Sequence, residues 1–318
     1  MKYFPGFLAR RFTDAGYRII PSCWDSLLIL SHDKHKNVAA SWQNDNVKTR
    51  IPSLIFPPIG FAHRGGMAHS HENTLQAFTT AIAMGATGIE TDAWITADGE
   101  IVLIHAGYVK KKPWLPGWLL GRPIASHNRF QLPGYTPTLT DYYQHCGLSL
   151  PLSIDVKDPA AFGGIVAIAD KYKALKNLWV CHDNLDLLAS WRETAPQVQL
   201  VHSVRRDRPQ DSHEQHAARL SELGVKAVNL RRGSWSGGLV TLYHRFHVFA
   251  FAWDVQQVRH IEALIDSGVD AVYSDHVDRL TKVLERFQQT ARPLPDQKAK
   301  RTETKKPPLT QKLSCYDD

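Results

Sequence analysis

From residue 59 the chain alternates short apolar runs with amphipathic stretches, the pattern of βα units around a parallel sheet. Residues 59–62 read as a first strand, 72–84 as a helix with Leu75, Phe78, Ala81 and Ile82 on one face, and 88–94 as a second strand. Thr96-Ala97-Asp98-Gly99 reads as a tight turn, after which 100–105 run back as the second arm of a hairpin. Centring the hairpin between Ala97 and Asp98 sets Glu90 opposite His105. Residues 106–137, rich in Gly, Pro, Lys and Trp, interrupt the alternation as an inserted loop or lid.

Beyond the insertion the pattern resumes. Helices are expected at 138–146, 161–174, 185–193, 214–223, 238–245 and 255–267. Strands are expected at 152–156, 178–181, 198–201, 226–230, 247–252 and 271–274. With the returning arm counted as an appendage, eight strands remain, each followed by a helix. That is the size and count of a (β/α)₈ TIM barrel with an insertion after the second strand. A doubly wound open sheet is the runner-up. It usually carries a Gly-rich dinucleotide turn after the first strand, and His63-Arg64-Gly65-Gly66-Met67 is not one.

Composition changes this picture only at the ends. The 318 residues carry a net charge of +7, but residues 59–290 hold 23 basic and 23 acidic side chains. The excess lies in residues 1–58 and 291–318, which argues against a nucleic-acid footprint on the barrel itself. Residues 1–58 read as an extension of unassigned role, 59–288 as the barrel, and 289–318 as a basic disordered tail. The start lacks the pattern of a secretory signal, and Cys23, Cys146, Cys181 and Cys315 show neither metal-ligand spacing nor a disulfide framework. A cytoplasmic location is the expectation.

Chemistry concentrates at strand ends, where barrel enzymes build their sites. His63, Glu90, Asp92, Asp155, Lys157, Trp253 and Asp275 fall there, and the hairpin delivers His105. Clustered carboxylates repel unless a cation neutralises them, and all-oxygen ligation favours Mg²⁺ or Ca²⁺. Arg64 and Lys157 suit phosphate oxygens, and two histidines can supply a general acid and a general base. A diester leaving as an alkoxide needs such an acid, so these residues favour phosphodiester cleavage.

His63-Arg64-Gly65, Glu72-Asn73-Thr74, Glu90-x-Asp92, Thr96-x-Asp98-Gly99, His105 and Asp155-x-Lys157 resemble the ordered motifs of the glycerophosphodiester phosphodiesterase family. The resemblance, from about residue 59 to 280, implies a TIM barrel that cleaves glycerophosphodiesters to an alcohol and glycerol 3-phosphate with Mg²⁺ or Ca²⁺. It implies His63 and His105 as acid and base, Glu90, Asp92 and Asp155 as metal ligands, and Arg64, Lys157 and Trp253 as substrate contacts. The chain departs from the family at Ala106, usually Asp, and at Asp155, usually Glu. A lysophospholipase D-like activity and a non-catalytic phosphodiester-binding barrel are the alternatives. Lys110-Lys111-Lys112 beside Trp114, Trp118 and Leu120 could bring the lid to a membrane surface, which would suit a lysophospholipid substrate.

Overall fold

The computed structural model describes residues 50–109, 121–204 and 211–290. Most of the N-terminal extension, the Lys/Trp segment of the insertion and the basic tail therefore lie outside the described residues. Among those described, no helix is long and apolar enough to cross a membrane.

Eight parallel strands form the barrel: β1 (Ile59–Ala62), β2 (Gly88–Ile95), β6 (Leu152–Val156), β7 (Leu178–His182), β8 (Gln199–Ser203), β9 (Ala227–Arg231), β10 (Phe249–Trp253) and β11 (Ala271–Ser274). Each pairs with the next, and β1 pairs with both β2 and β11, so the ring closes. The helices that follow in turn are α1 (Leu75–Ala83), α2 (Leu139–Cys146), α3 (Phe162–Lys171), α4 (Leu185–Thr194), α5 (His213–Glu222), α6 (Gly237–Arg245), α7 (Val258–Asp266) and α8 (Val277–Thr290). This is the expected TIM barrel.

The two-residue period of each strand separates two cores. Phe61, Trp179, Cys181, Val201, Phe251 and Tyr273 fill the inside, where the Phe61 and Tyr273 rings stack at 4.8 Å. Ala62, Ile89, Ala93, Leu152, Ile154 and Val156 face outward to the helices. The alternate positions Glu90, Asp92 and Asp155 consequently share the inner face. α8 lays Leu280 and Leu284 on β1, and their approach requires a residue without Cβ at Gly60: an added Cβ would sit 2.6 Å from Leu284 Cδ1.

Three local expectations are corrected. The returning arm is shorter than 100–105: β3 (Ile101–Leu103) pairs Ala93 with Leu103 and Ile95 with Ile101, so the hairpin centres on Asp98. In that register Glu90 is not opposite His105. The ladder stops at Leu103, Ile104 N–H donates to Asp92 O at 3.0 Å, and the chain bends at His105. Helix α1 starts at Leu75 instead of 72, because Asn73 has φ 53° and Thr74 is the N-cap, its Oγ1 accepting from Ala77 N–H. Helix α7 starts at Val258 instead of 255, after Asp254 at φ 62°.

The described part of the insertion forms a small ladder of β4 (Tyr108–Val109) with β5 (Arg122–Pro123). Its Ile124 and Leu132 are buried on Val102 of the hairpin. Residues 50–55, assigned from sequence to the extension, bond to the barrel. The fully buried Asp270 carboxylate accepts from Leu54 N–H, Ile55 N–H and Ser53 Oγ–H, and from Ala250 N–H and His244 Nε2–H.

Candidate active site

The closing seam of the barrel makes the first contact. Ala62 is in register with Ser274, so the residues after them, His63 and Asp275, leave adjacent strand ends. His63 Nδ1–H donates to Asp275 Oδ1 at 2.6 Å, and its Nε2 lies 3.8 Å from Glu90 Oε2. Burial alone would lower the His63 pKa, but Glu90 and the Asp275 hydrogen bond outweigh it and raise the group above the ordinary imidazole value.

Arg64 holds φ 50°, a left-handed conformation uncommon outside glycine. It aims the backbone N–H at Glu90 Oε2, at 2.8 Å, while Nη1 reaches Glu72 Oε2 at 2.8 Å and Nε faces Asp92 Oδ2 at 3.4 Å. Asn73, also left-handed, donates from Nδ2 to Asp92 Oδ2 at 3.1 Å and accepts from Thr91 Oγ1–H at 2.7 Å. The Glu72-Asn73-Thr74 turn thus fastens Arg64, Asp92 and the start of α1 together.

The β2–β6 register sets Asp92 beside Asp155. Lys157 Nζ bridges them, 3.0 Å from Asp92 Oδ1 and 2.5 Å from Asp155 Oδ2. Desolvation pushes the Asp92 carboxyl up, but Lys157 and Arg64 hold it below its ordinary value. Glu90 is held differently, with His63 Nε2 3.8 Å away and the Arg64 backbone N–H donating to it. Burial pushes it up to about 7, against His63, with Asp92 and Asp155 adding repulsion.

A cavity of about 340 Å³ opens here, walled by His63, Arg64, Glu90, Asp155, Trp253 and Asp275, with Cys181, Ser203, Asn229, Asp254, Gln256 and Tyr273 completing it. Asp92, Lys157 and His105 stand outside these walls. His105 is exposed; desolvation lowers its pKa, and Arg64 and Lys157 lower it further against the pull of Asp92. The Arg231 guanidinium lies 5.9 Å from the centre of the Trp253 ring. Gln256 Oε1 accepts from Asp275 N–H at 2.9 Å, steadying the partner of His63.

The donor chemistry at Glu90 and Asp155 fits a hard divalent cation: oxygen atoms only, with a crowded carboxylate that a positive charge would relieve. Asp92 is engaged by Lys157, Arg64 and Asn73, and Asp155 by Lys157. Among the described residues, the three side chains whose candidate ligand atoms all converge within 4.8 Å are instead His69, His276 and Asp278.

Of the residues singled out in the sequence, His63, Arg64, Glu90, Asp155 and Trp253 meet at the cavity, and Asp92 and Lys157 support them from behind. Sequence reasoning placed Asp275 at a strand end without giving it a partner. Closing a barrel always brings the last strand to the first, and that rule would have paired it with His63. The bracing roles of Glu72 and Asn73 had no such signal.

Residues 63–113 match the family model described as the glycerophosphoryl diester phosphodiesterase family. A glycerophosphodiester phosphodiesterase of Bacillus altitudinis is 24% identical over 243 residues, covering 71% of this chain and 97% of that protein. Both matches point to this family. Solved structures agree in fold with the glycerophosphodiester phosphodiesterase barrel. One from Thermotoga maritima superposes with a TM-score of 0.62 at 23% identity, over 71% of this chain and 98% of that one. An Oleispira antarctica phosphodiesterase, solved in complex with the product sn-glycerol-3-phosphate, gives 0.62 at 18% identity, over 72% and 97%.

Proposed function

We propose that the chain is a phosphoric diester hydrolase that cleaves glycerophosphodiesters to an alcohol and glycerol 3-phosphate. The observation that carries this reading is His63, hydrogen-bonded to Asp275 and facing Glu90 at a cavity walled by Arg64 and Asp155. The match of residues 63–113 to the family model supports it, as does the product bound to the Oleispira antarctica structure.

On this reading water attacks phosphorus and the bond to the alcohol oxygen breaks. The Asp275 carboxylate stabilises the imidazolium of His63, which suits it to protonate the departing alkoxide. His105, kept neutral by desolvation and the nearby cations, takes a proton from the attacking water. Arg64 offers its fork to the phosphate oxygens, with Lys157 as a second positive charge. Trp253 provides an apolar wall for the carbon skeleton. Glu90 and Asp155, with Asp92, would hold Mg²⁺ or Ca²⁺, which when bound neutralises charge on the phosphate.

Hydrolysis of glycerophosphocholine in ¹⁸O-water tests the bond broken. The label is expected in the phosphate of glycerol 3-phosphate and not in choline. Label in choline, or release of phosphocholine, would refute this chemistry.

A further inference from the structure

His69 and the turn that opens α8 make a second constellation. His69 Nε2 lies 3.0 Å from Asp278 Oδ1, and the His69 and His276 rings stand edge to face at 89° with centres 6.2 Å apart. A candidate ligand atom from each of the three falls within 4.8 Å of the others. None lines the cavity of the active site.

The backbone holds these groups in place before any ligand arrives. Ala68 N–H donates to Asp275 O at 3.3 Å, and His69 N–H donates to Gly66 O at 2.9 Å. Gly66 has φ +78°, and a Cβ there would lie 2.6 Å from Val277 Cγ2, so only glycine lets the loop sit this close to α8. The loop after β1 is thereby fixed against the very turn that carries His276.

We propose that His69, His276 and Asp278 bind a borderline divalent transition ion, with Zn²⁺ as the probe. Two imidazoles and one carboxylate leave a fourth position for water, and this donor set prefers Zn²⁺ to Mg²⁺. Tetrahedral bonds of about 2.0–2.1 Å put ligand atoms roughly 3.3 Å apart, so the side chains need shift by no more than about 1.5 Å. His69 and His276 are half-buried to exposed, and turning them costs no core packing. The ion would tie the loop that carries His63 and Arg64 to the turn that carries Asp275. The inference does not depend on the reaction proposed above.

The test is calorimetric titration of the full, tag-free chain with Zn²⁺ in excess Mg²⁺, alongside His69→Ala, His276→Ala and, as a remote control, His145→Ala. Wild type and His145→Ala are expected to bind about one equivalent with a rise in Tm, and both site variants to lose affinity roughly tenfold or more together with that rise. Unchanged binding in the site variants would overturn the proposal. So would loss in His69→Ala with retention in His276→Ala, since His69 and Asp278 would then be only an ion pair.

Discussion

His63 Nδ1 lies 2.6 Å from Asp275 Oδ1, across the seam where the last strand closes on the first. The contact fixes the tautomer of His63 and raises its pKa. Asp275→Asn should lower kcat by about 10²-fold with KM little changed, and Asp275→Glu should recover part of it. Without the carboxylate the imidazolium is less stable, so the alkaline limb of the kcat profile should move to lower pH. Steady-state kinetics across pH, with an unmoved limb, would show that Asp275 does not act through His63.

Metal removal bears on the carboxylates. EDTA should abolish turnover, and Mg²⁺ or Ca²⁺ should restore it. Asp155 is one carbon shorter than the glutamate usual in the family, a loss of reach of about 1.5 Å. Asp155→Glu should therefore lower the metal concentration that gives half-maximal rate. An unchanged activation curve would remove Asp155 from the ligand set.

A buried relay away from the site makes stability depend on pH. His202 Nε2–H donates to Asp183 O at 3.1 Å, and His202 Nδ1 accepts from His216 Nε2–H at 2.9 Å. His216 Nδ1 accepts from Tyr243 O–H at 2.8 Å, and Tyr243 accepts in turn from His213 Nδ1–H at 3.1 Å. The bonds accepted by His202 Nδ1 and His216 Nδ1 require those two rings to be neutral. Burial, then His202 and His213, push the His216 pKa down to about 3. The unfolded chain takes up that proton near pH 6.5 and the folded chain only near 3, so stability is full above 6.5 and declines between them. The slope is up to about 1.4 kcal/mol per pH unit. In urea melts at pH 7 and pH 5, wild type should lose stability relative to His216→Phe as the pH falls.

Asp270, fully buried, collects five donors from residues 53–55, Ala250 and His244. Asp270→Ala strands those donors and should cost about 3 kcal/mol in urea unfolding, with the active-site cavity untouched. A loss below about 1 kcal/mol would mean that water replaces the carboxylate there.

The barrel was legible because its strands are short apolar runs bounded by polar ends. The expected limits of β1, β6 and β11 match the observed ones. The inward face of Glu90, Asp92 and Asp155 follows from strand period alone. The hairpin centre was not legible: a five-residue turn and a four-residue turn look alike in Thr96-Ala97-Asp98-Gly99, and one residue of slip moves Glu90 away from His105. The braces between Arg64 and Glu72, and between Asn73 and Asp92, depend on two left-handed residues whose backbone the composition does not announce. Sequence reading therefore named the proposed reacting groups more readily than the residues that brace them.

The most direct measurement is release of glycerol 3-phosphate from glycerophosphocholine and related glycerophosphodiesters, with Mg²⁺ or Ca²⁺, by wild type and His63→Ala. Metal-dependent release by wild type, reduced by about 10²–10⁴-fold in His63→Ala, is the predicted result. No metal-dependent product from any glycerophosphodiester, or equal rates in the two proteins, would contradict it.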